Sequence, residues 1–591
     1  MKDKPKDFTT SLKRLISSLK PYKTKIMVVF MFSILSTLFT IVGPKVLGNA
    51  TTELYNGVIA KLNNTGSINF NKLHTILITL LILYIISAIF NYVQGVVVSK
   101  ISAKYTMDLR RKVNRKMEKL PLKYFDKKSH GEVLSLITND IDKISQNLSN
   151  ALTETVTCIV ALLGMLIMMF SINVTMTLAI IIILPICMML TIKIASKGQK
   201  YFTYRQEGLA KVDTKVEEML RNHNIIKVFN SEDKILKDFN KENDSLANST
   251  WKSNFIGGIM HPIMMLIGNL SYVVIAFLGG LFVIQGKITV GNIQSFITYA
   301  KNFTNPIGNL ASIMTELESM IAASERVEDY LLEEEEKKLE NPVLLENVKG
   351  NITFDHVKFG YDENKPIIKD FSAYVEKGKK IAIVGPTGSG KTTLVKLLMR
   401  FYDVNSGSIL IDNINIQDVD RNELRKNIGM VLQDTWLYSD TIMENIRYGK
   451  LDATDDEVIE ASKEAQVHHF IQTLPNSYNM QINEETSNIS EGQKQLLTIA
   501  RAILRDPKVL ILDEATSSVD TRTEELIQKA MDSLMKGRTS FIIAHRLSTI
   551  KNADLILVLK DGDIIEQGTH EELISMHGLY NSLYYSQFES E

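Results

Sequence analysis

The sequence has few of the residues that build disulfide frameworks, metal clusters or nucleic-acid surfaces. Only two cysteines occur in 591 residues, Cys158 and Cys187, and each lies in an apolar run away from any group of Cys and His. This argues against a disulfide framework or a zinc site and predicts two buried thiols. Lys plus Arg and Asp plus Glu both total 67, so the net charge is zero and nothing in the overall balance indicates nucleic acid.

The first half of the sequence holds six apolar runs, and the total length already predicts more than one domain. Crossing the hydrocarbon core takes roughly 20 helical residues, and each run reaches about that length. A basic, amphipathic stretch precedes the first run. We therefore expect an interfacial helix over residues 1–25 rather than a cleaved signal, for which the apolar run is too long. The six predicted spans are 26–46, 73–98, 152–170, 174–192, 255–284 and 290–313.

Lys and Arg are concentrated in two long connections, residues 99–151 and 193–254, and are scarce in the other three. The positive-inside rule then predicts that both termini and these two loops are cytoplasmic. The helical character of the loops predicts helices that extend beyond the bilayer, with most of their charges simply solvated. Lys45 and Glu154 lie near predicted span ends, where snorkelling explains them better than a functional role.

From about residue 351 the sequence changes to short β-branched runs separated by Gly and Asn. In "KKIAIVGPTGSGKTTLVKLLMRF", a predicted strand (381–384) is followed by Gly385-x4-Gly390-Lys391-Thr392 and an apolar helical run. In this strand–loop–helix context the motif predicts a P-loop whose backbone N–H groups bind phosphates. Lys391 would reach the β/γ-phosphates, and Thr392 would bind Mg²⁺. The predicted ATP-binding residues of the loop are Gly385, Pro386, Thr387, Gly388, Ser389, Gly390, Lys391, Thr392 and Thr393.

Two further predicted strands are followed by residues that could bind Mg²⁺ or take part in ATP hydrolysis. Four apolar residues, 509–512, precede Asp513 and Glu514, and ligands of open α/β sheets bind at such carboxyl ends. Asp513 would hold Mg²⁺ through water, and Glu514 would act as the general base on the attacking water. The strand 540–544 precedes His545, for which we favour a γ-phosphate contact over an ordinary core or surface histidine.

With these motifs in place, nearly the whole chain resembles an ATP-binding cassette (ABC) exporter half-transporter of the type IV exporter fold. The resemblance implies a six-helix α transmembrane domain followed by an α/β P-loop nucleotide-binding domain. It also implies that Tyr361 in "FGYDENKPII" stacks on adenine, and that Gln433 in "GMVLQDTWLYSDTIMENI" senses Mg²⁺ and links to the membrane domain. Asp520 would belong to an inter-subunit loop, and His545 would be the switch histidine. The matching signature residues are Ser490, Gly492 and Gln493.

In the membrane half, "LPLKYFDKKSHGEVLSLITNDI" resembles the family's first intracellular loop. The segment "RNHNIIKVFNSED" resembles the second loop, which carries a partner-contacting coupling helix. The resemblance implies that two such chains form the working unit. The expected divisions are an interfacial helix (1–25), a transmembrane domain (26–330), a linker (331–350) and the nucleotide-binding domain (351–591).

The signature departs from the family pattern at one residue. In "NISEGQKQLL", Glu491 follows Ser490 where the family has glycine, beside the expected γ-phosphate of a partner-bound ATP. Two unit charges roughly 6 Å apart at an effective dielectric of 20 repel by about 3 kcal/mol, as an upper figure. Because the chain's own catalytic set is intact, we expect a heterodimer in which one site hydrolyses ATP and the other mostly holds it. A homodimer whose signature tolerates glutamate is the alternative.

The predicted function is ATP-driven efflux of hydrophobic or amphipathic compounds (drug-like molecules or lipids) across the plasma membrane, with ATP and Mg²⁺, as the resemblance to heterodimeric bacterial multidrug exporters implies. The predicted partners are a second half-transporter chain, the lipid bilayer and a hydrophobic small molecule, with no nucleic acid. The alternatives are a homodimeric exporter of lipid or peptide, and an exporter-fold importer. A regulatory or channel-like ABC protein is disfavoured by the intact Glu514, and a soluble one by the six spans.

Overall fold

The structure, a computed structural model, describes residues 7–362, 365–432, 435–482, 489–513, 520–543 and 550–588. It forms two compact units. The first, the membrane unit, consists of the chain up to Glu118 together with His130–Glu333. The second, the cassette unit, consists of Lys119–Ser129 together with the chain from Glu334 onward. A short segment of the first half of the chain therefore folds with the second half.

The membrane unit is helical, and each predicted span lies within one long helix. Lys20–Leu62, Phe70–Met117 and His130–Ile172 are long and apolar enough to cross a membrane, judged on the described residues. The helix at the N-terminus buries Leu15, but its interfacial placement stays a prediction. The helices are α1 Phe8–Ser18, α2 Lys23–Leu62, α3 Phe70–Met117, α4 Leu122–Lys127 (which belongs to the cassette unit), α5 His130–Ser135, α6 Ile141–Ile172, α7 Val174–Arg221, α8 His223–Val228, α9 Glu232–Ile284 and α10 Val290–Leu332.

The membrane helices are joined by apolar packing and by hydrogen bonds to backbone carbonyls. On α10, the buried Tyr299 donates its hydroxyl to the carbonyl of Ile41 on α2 at 2.7 Å. One turn earlier, Ser295 Oγ donates to the carbonyl of Pro44 at 2.8 Å. Polar side chains between helices commonly make such contacts in membranes, where an unpaired polar group is costly. These bonds fix the register of α10 against α2. Cys158 on α6 is buried, as predicted, whereas the side chain of Cys187 lies outside the described residues.

The long helices extend well past the predicted spans. At 1.5 Å per residue, the 48 residues of α3 cover about 72 Å, against a hydrocarbon core of about 30 Å. The first loop is not one continuous helix, however. Pro121 is extended and is the N-cap of α4. Because proline disfavours a helical conformation in the residue before it, α3 cannot continue up to Pro121. After α5, residues Leu136–Asp140 form a π-helical stretch that leads into α6.

The cassette unit is built on two sheets. In the larger one, strands β3, β10, β9, β6 and β11 are parallel, and only β12 is antiparallel. Its order is β12-β11-β3-β10-β9-β6, and the smaller antiparallel sheet has the order β2-β1-β4-β5. The strands are β1 Ile352–Phe359, β2 Ile368–Val375, β3 Lys380–Val384, β4 Ser406–Ile411, β5 Ile414–Asn415, β6 Ile428–Val431, β7 Asp440–Thr441, β8 Gln481–Ile482, β9 Val509–Asp513, β10 Thr539–Ile543, β11 Leu555–Lys560 and β12 Asp563–Gly568.

The parallel sheet brings together the carboxyl ends of the three strands that precede the predicted motifs. Strands β3 and β9 both pair with β10, so the carboxyl ends of all three meet. These strands are buried on both faces, which explains their uninterrupted apolar sequences. The predicted α transmembrane plus α/β P-loop architecture is confirmed. The cassette helices are α11 Lys391–Leu398, α12 Arg421–Lys426, α13 Ile442–Arg447, α14 Asp455–Glu464, α15 His468–Thr473, α16 Glu491–Arg505, α17 Thr521–Met535, α18 His570–Ser575 and α19 Leu579–Phe588.

Candidate nucleotide-binding site

The loop between β3 and α11 requires glycine at its two ends. Gly390 caps α11 with φ +106°, a left-handed conformation that side chains rarely adopt. At Gly385, a Cβ atom would lie 2.3 Å from the carbonyl oxygen of Leu559 on β11. The loop can therefore lie this close to its neighbours only because these two residues have no side chain. This leaves its N–H groups and the α11 N-terminus as donors for an anion.

Lys391 is folded back over this loop. Its Nζ donates to the carbonyl of Gly385 at 2.6 Å and to that of Pro386 at 3.0 Å. Burial lowers the pKa of Lys391, and the nearby carboxylate of Asp513 acts in the opposite direction. The hydroxyl of Ser389 is buried and has no hydrogen-bond partner within the described part of the chain. A lysine ammonium, a glycine-rich loop at a helix N-terminus and an orphaned hydroxyl fit a triphosphate here.

The predicted metal ligands are only partly described. Asp513 ends β9 at the sheet edge where the P-loop begins, and Thr392 is exposed on the first turn of α11. Both present oxygen atoms, which Mg²⁺ prefers. The described residues contain no cluster of three or more acidic, His or Cys side chains that could hold a metal. Gln433, Glu514 and His545, the predicted catalytic residues, lie outside the described residues.

Tyr361, the predicted adenine-stacking residue, belongs to a cluster of aromatic rings. Its ring meets Phe359 and Tyr402 edge-on, with centroids 5.1 and 5.0 Å apart. The ammonium of Lys396 lies over the Tyr361 ring at 5.6 Å, and the Tyr361 hydroxyl is 3.5 Å from Thr393 Oγ1 of the P-loop. Because Tyr361 is still 39% exposed, part of its side chain remains available to a base.

The same aromatic cluster contacts α4, and the sequence did not predict this link between α4 and the nucleotide site. Tyr402 donates its hydroxyl to Asp126 Oδ2 at 2.6 Å, and Lys396 Nζ donates to the same oxygen at 3.1 Å. Burial would raise the pKa of Asp126, but these two hydrogen bonds outweigh it and lower the pKa. The carboxylate from the first intracellular loop is thus held ionised beside the ring cluster of Tyr361.

The signature begins α16, and Ser490 is its N-cap. Ser490 Oγ accepts a hydrogen bond from the Gln493 backbone N–H at 3.3 Å, while the Gln493 side chain accepts from the Ser490 N–H at 2.9 Å. This reciprocal pair is a capping box, and it positions Gly492 in the first turn. Within the described residues, Ser490 and Gln493 make no hydrogen bond to this chain's own P-loop. That separation fits a signature that acts on another chain's nucleotide.

Glu491 is the first helical residue of α16, and its carboxylate has two partners. Lys494 Nζ donates to Oε1 at 3.0 Å, and Thr435 Oγ1 donates to Oε2 at 3.2 Å. The hydrogen bond from Lys494 is the main reason why the pKa of Glu491 is lowered. The spacing of Glu491 and Lys494 on one helix face was readable in the sequence, whereas the contact with Thr435, two residues after Gln433, was not.

Asp520 is placed at the start of α17. Its side chain accepts a hydrogen bond from the Thr523 backbone N–H at 3.0 Å, and this bond is the main cause of its lowered pKa. The carboxylate is exposed. Its contacts in this chain are those of a helix cap, and a role between subunits stays a prediction.

Comparison with known proteins places both halves of the chain in one family. Residues 26–307 match the family model of the ABC transporter transmembrane region, and residues 368–517 match the family model described as ABC transporter. A fatty acid ABC transporter ATP-binding/permease protein of Mycobacterium bovis is 41% identical over 97% of this chain and 96% of its own length.

Two further relatives carry different substrate names. A putative multidrug export ATP-binding/permease protein of Bacillus subtilis is 34% identical over 97% of this chain and 98% of its own length. An ATP-dependent lipid A-core flippase of Syntrophus aciditrophicus is 34% identical over 88% of this chain and 87% of its own length. This chain belongs to the ABC transporter family, as an ATP-hydrolysing, membrane-embedded exporter half-transporter.

Proposed function

We propose that this chain is the hydrolytic subunit of a heterodimeric exporter that moves amphipathic lipids or drug-like molecules out across the plasma membrane. The observation that carries the proposal is Glu491, a carboxylate within the signature of a chain whose own P-loop and catalytic motifs are complete. The nucleotide held by this chain's P-loop would face the partner's signature. The partner's nucleotide would face Ser490–Gln493.

The P-loop of this chain would exchange internal bonds for phosphate contacts. Lys391 would leave the carbonyls of Gly385 and Pro386 and bind the β/γ-phosphates, whose charge would raise the pKa of the ammonium group again. The α11 N-terminus adds positive potential at the same point. Tyr361 would stack on the adenine, with Thr393 next to its hydroxyl.

The oxygen atoms of Thr392 and Asp513, with Gln433, are suited to hold Mg²⁺, which neutralises charge on the β/γ-phosphates when bound. Glu514, the residue after Asp513, would accept a proton from the attacking water as its oxygen bonds to the γ-phosphorus. The bond to the β–γ bridging oxygen then breaks, and ADP leaves. His545 would contact the γ-phosphate.

Several features support a differing partner chain. Glu491 remains ionised because Lys494 and Thr435 hydrogen-bond to it, so a negative charge persists in the signature. The N-terminus of α16 also favours an anion there. A site that uses this signature would bind and hydrolyse ATP more slowly than one with glycine. An identical partner would impose that cost on both sites.

The distribution of Lys and Arg supports an orientation with both termini and the cassette in the cytoplasm. The short helix α8, in the second cytoplasmic loop, exposes Ile225 and Val228, with Phe229 directly after it. Such apolar exposure on a soluble loop supports its assignment as the helix that contacts the partner chain.

ATP-driven transport into sealed inside-out membrane vesicles tests the proposal. Vesicles that contain the complex should accumulate a labelled amphiphile when ATP is added, because their interior corresponds to the cell exterior. Glu514→Gln should retain ATP binding but reduce hydrolysis and accumulation by at least about 100-fold, the usual loss when a general base is removed. Glu525→Gln, at an exposed position on α17, is the matched control and should behave as the unmodified chain.

Two results would contradict the proposal. ATP-dependent loss of amphiphile from preloaded inside-out vesicles would show import rather than export. Substantial hydrolysis by the Glu514→Gln complex would show that another group activates the water.

A further inference from the structure

The exposed face of α10 differs from that of the other membrane helices. Along its predicted span, the exposed side chains are polar or small rather than apolar. Four of them recur at helical spacing and form one stripe, with two asparagines beside it. The stripe consists of Lys301, Asn305, Gly308 and Ser312, and its neighbours are Asn302 and Asn309.

The other helices show what a lipid-facing surface looks like in this chain. On α3, Leu81, Ile85 and Tyr92 are exposed, and on α9 Val273 and Phe277 are exposed. Between Val290 and Ile313 on α10, by contrast, no large hydrophobic side chain is exposed among those the structure describes. Polar groups are unfavourable against lipid, so the α10 stripe belongs on a water-filled surface.

Lys301 lies near the middle of the predicted span 290–313. The contacts of Tyr299 with Ile41 and of Ser295 with Pro44 set the level of α10 against α2. Lys301 is half a turn beyond Tyr299, at about the level of residues 39–40, close to the centre of the predicted span 26–46. Its side chain is exposed, and in the described chain no acidic group forms an ion pair with it.

We propose that Lys301 binds the negatively charged head group of the transported amphiphile, within a pathway that the α10 stripe lines. The inference rests on the proposed export function and specifies its substrate as an amphiphile with a monoanionic head, either a carboxylate or a phosphodiester. Ionisable residues inside membrane segments face cavities and mark substrate routes. One unpaired lysine provides one positive charge, which matches a monoanion better than a neutral or cationic head.

The rest of the stripe gives the head group a path toward the cytoplasmic end of α10. From Lys301 to Ser312 the helix rises about 16 Å, at 1.5 Å per residue. Asn305 and Ser312 can donate hydrogen bonds to a carboxylate or phosphodiester along this distance. The apolar tail would stay against the hydrophobic surfaces beside the stripe. The stripe thus supplies a polar route for the head, and Lys301 is its only charge.

The test compares two probes of equal chain length on the purified complex in lipid nanodiscs. Oleate carries a carboxylate and oleyl alcohol does not, and ATPase stimulation is measured for each, with lysophosphatidylglycerol as the phosphodiester probe. For Lys301→Gln we expect the half-maximal oleate concentration to rise at least tenfold, with the response to oleyl alcohol unchanged. Lys301→Arg should retain the oleate response. Lys287→Gln, at an exposed lysine before α10, should match the unmodified chain.

The outcomes separate the inference from the function on which it rests. An unchanged oleate response in Lys301→Gln would overturn the head-group site while leaving export intact. Loss of the response to both probes, together with dissociation of the complex in native mass measurement, would assign the stripe to a subunit interface and would also overturn it. If no amphiphile stimulated the unmodified complex, the proposed function itself would fail. A lysophosphatidylglycerol response that depends on Lys301 more strongly than the oleate response would identify the phosphodiester as the preferred head.

Discussion

At the scale of single residues, Glu491 departs from the family signature, and its contacts change the electrostatic effect that we expect from this departure. The sequence places a carboxylate beside the expected γ-phosphate, and Coulomb repulsion alone predicts a cost of about 3 kcal/mol at an effective dielectric of 20. The structure pairs that carboxylate with Lys494 and Thr435. The paired cation should offset part of the repulsion, so we expect a signature that is weakened rather than abolished.

We therefore expect replacement of Glu491 to change ATP binding only modestly. Glu491→Gln removes the charge but keeps oxygen and nitrogen atoms for hydrogen bonding. We expect tighter ATP binding at the site that uses this signature by less than about tenfold, or about 1.4 kcal/mol, because Lys494 already offsets part of the cost. Glu491→Gly should increase turnover at the same site. The measurement is nucleotide occupancy of each site in the purified complex.

The control for that measurement is the other site, which uses the partner's signature and should keep its affinity. If both variants left occupancy and turnover at both sites unchanged, Glu491 would carry no asymmetry and the heterodimer proposal would lose its basis.

At the scale of elements, the sequence predicted the strands of the cassette sheet closely and the structure of the first intracellular loop only in part. The predicted strands 381–384 and 509–512 differ by one residue from β3 and β9, because fully buried parallel strands give unmistakable apolar runs. The loop lacks such a pattern. Pro121 separates α4 from α3, and the contact of Asp126 with Tyr402 joins residues 276 apart in sequence, which no local pattern reports.

The α4 contact yields a prediction on stability. A hydrogen bond to a charged group contributes roughly 1.5–3 kcal/mol, and partial exposure of Asp126 reduces this to about 1 kcal/mol. We expect Asp126→Asn and Tyr402→Phe each to destabilise the complex by about that amount, and the double variant to cost no more than either one. Thermal unfolding of the three variants in a double-mutant cycle measures the coupling. Additive losses would show that the two side chains do not interact.

The pH dependence of this contact has a definite sign. The pKa of Asp126 is lowered in the folded protein, so its contribution is fully present above the unfolded pKa of about 3.9. It is lost only as the pH falls through the lower folded value. Burial and the bond to Asp126 raise the pKa of Tyr402, so its phenol remains a donor. The coupling energy should therefore be constant across neutral pH, and a decline there would contradict the assignment.

At the scale of the whole molecule, composition and periodicity predicted the order of a six-helix membrane domain and an ATPase domain. They did not predict which face of each membrane helix packs against other helices and which face is exposed. Lys301 lies inside the predicted span 290–313, where an ionisable residue is already a signal of function, whereas Lys45 and Glu154 lie near span ends, where snorkelling explains them. The polar character of the exposed face of α10 becomes evident only when it is compared with the apolar exposed face of α3. The roles of Gln433, Glu514 and His545 remain predictions from their motifs.

The measurement that tests the asymmetric exporter most directly is the native mass of the complex, extracted with a tagged copy of this chain from its source membrane. We predict one copy of this 66.7 kDa chain bound to a different cassette chain, whose signature is regular and whose catalytic glutamate or histidine is replaced. A complex of twice 66.7 kDa, with two copies of this chain, would contradict the account, since both ATP sites would then contain Glu491.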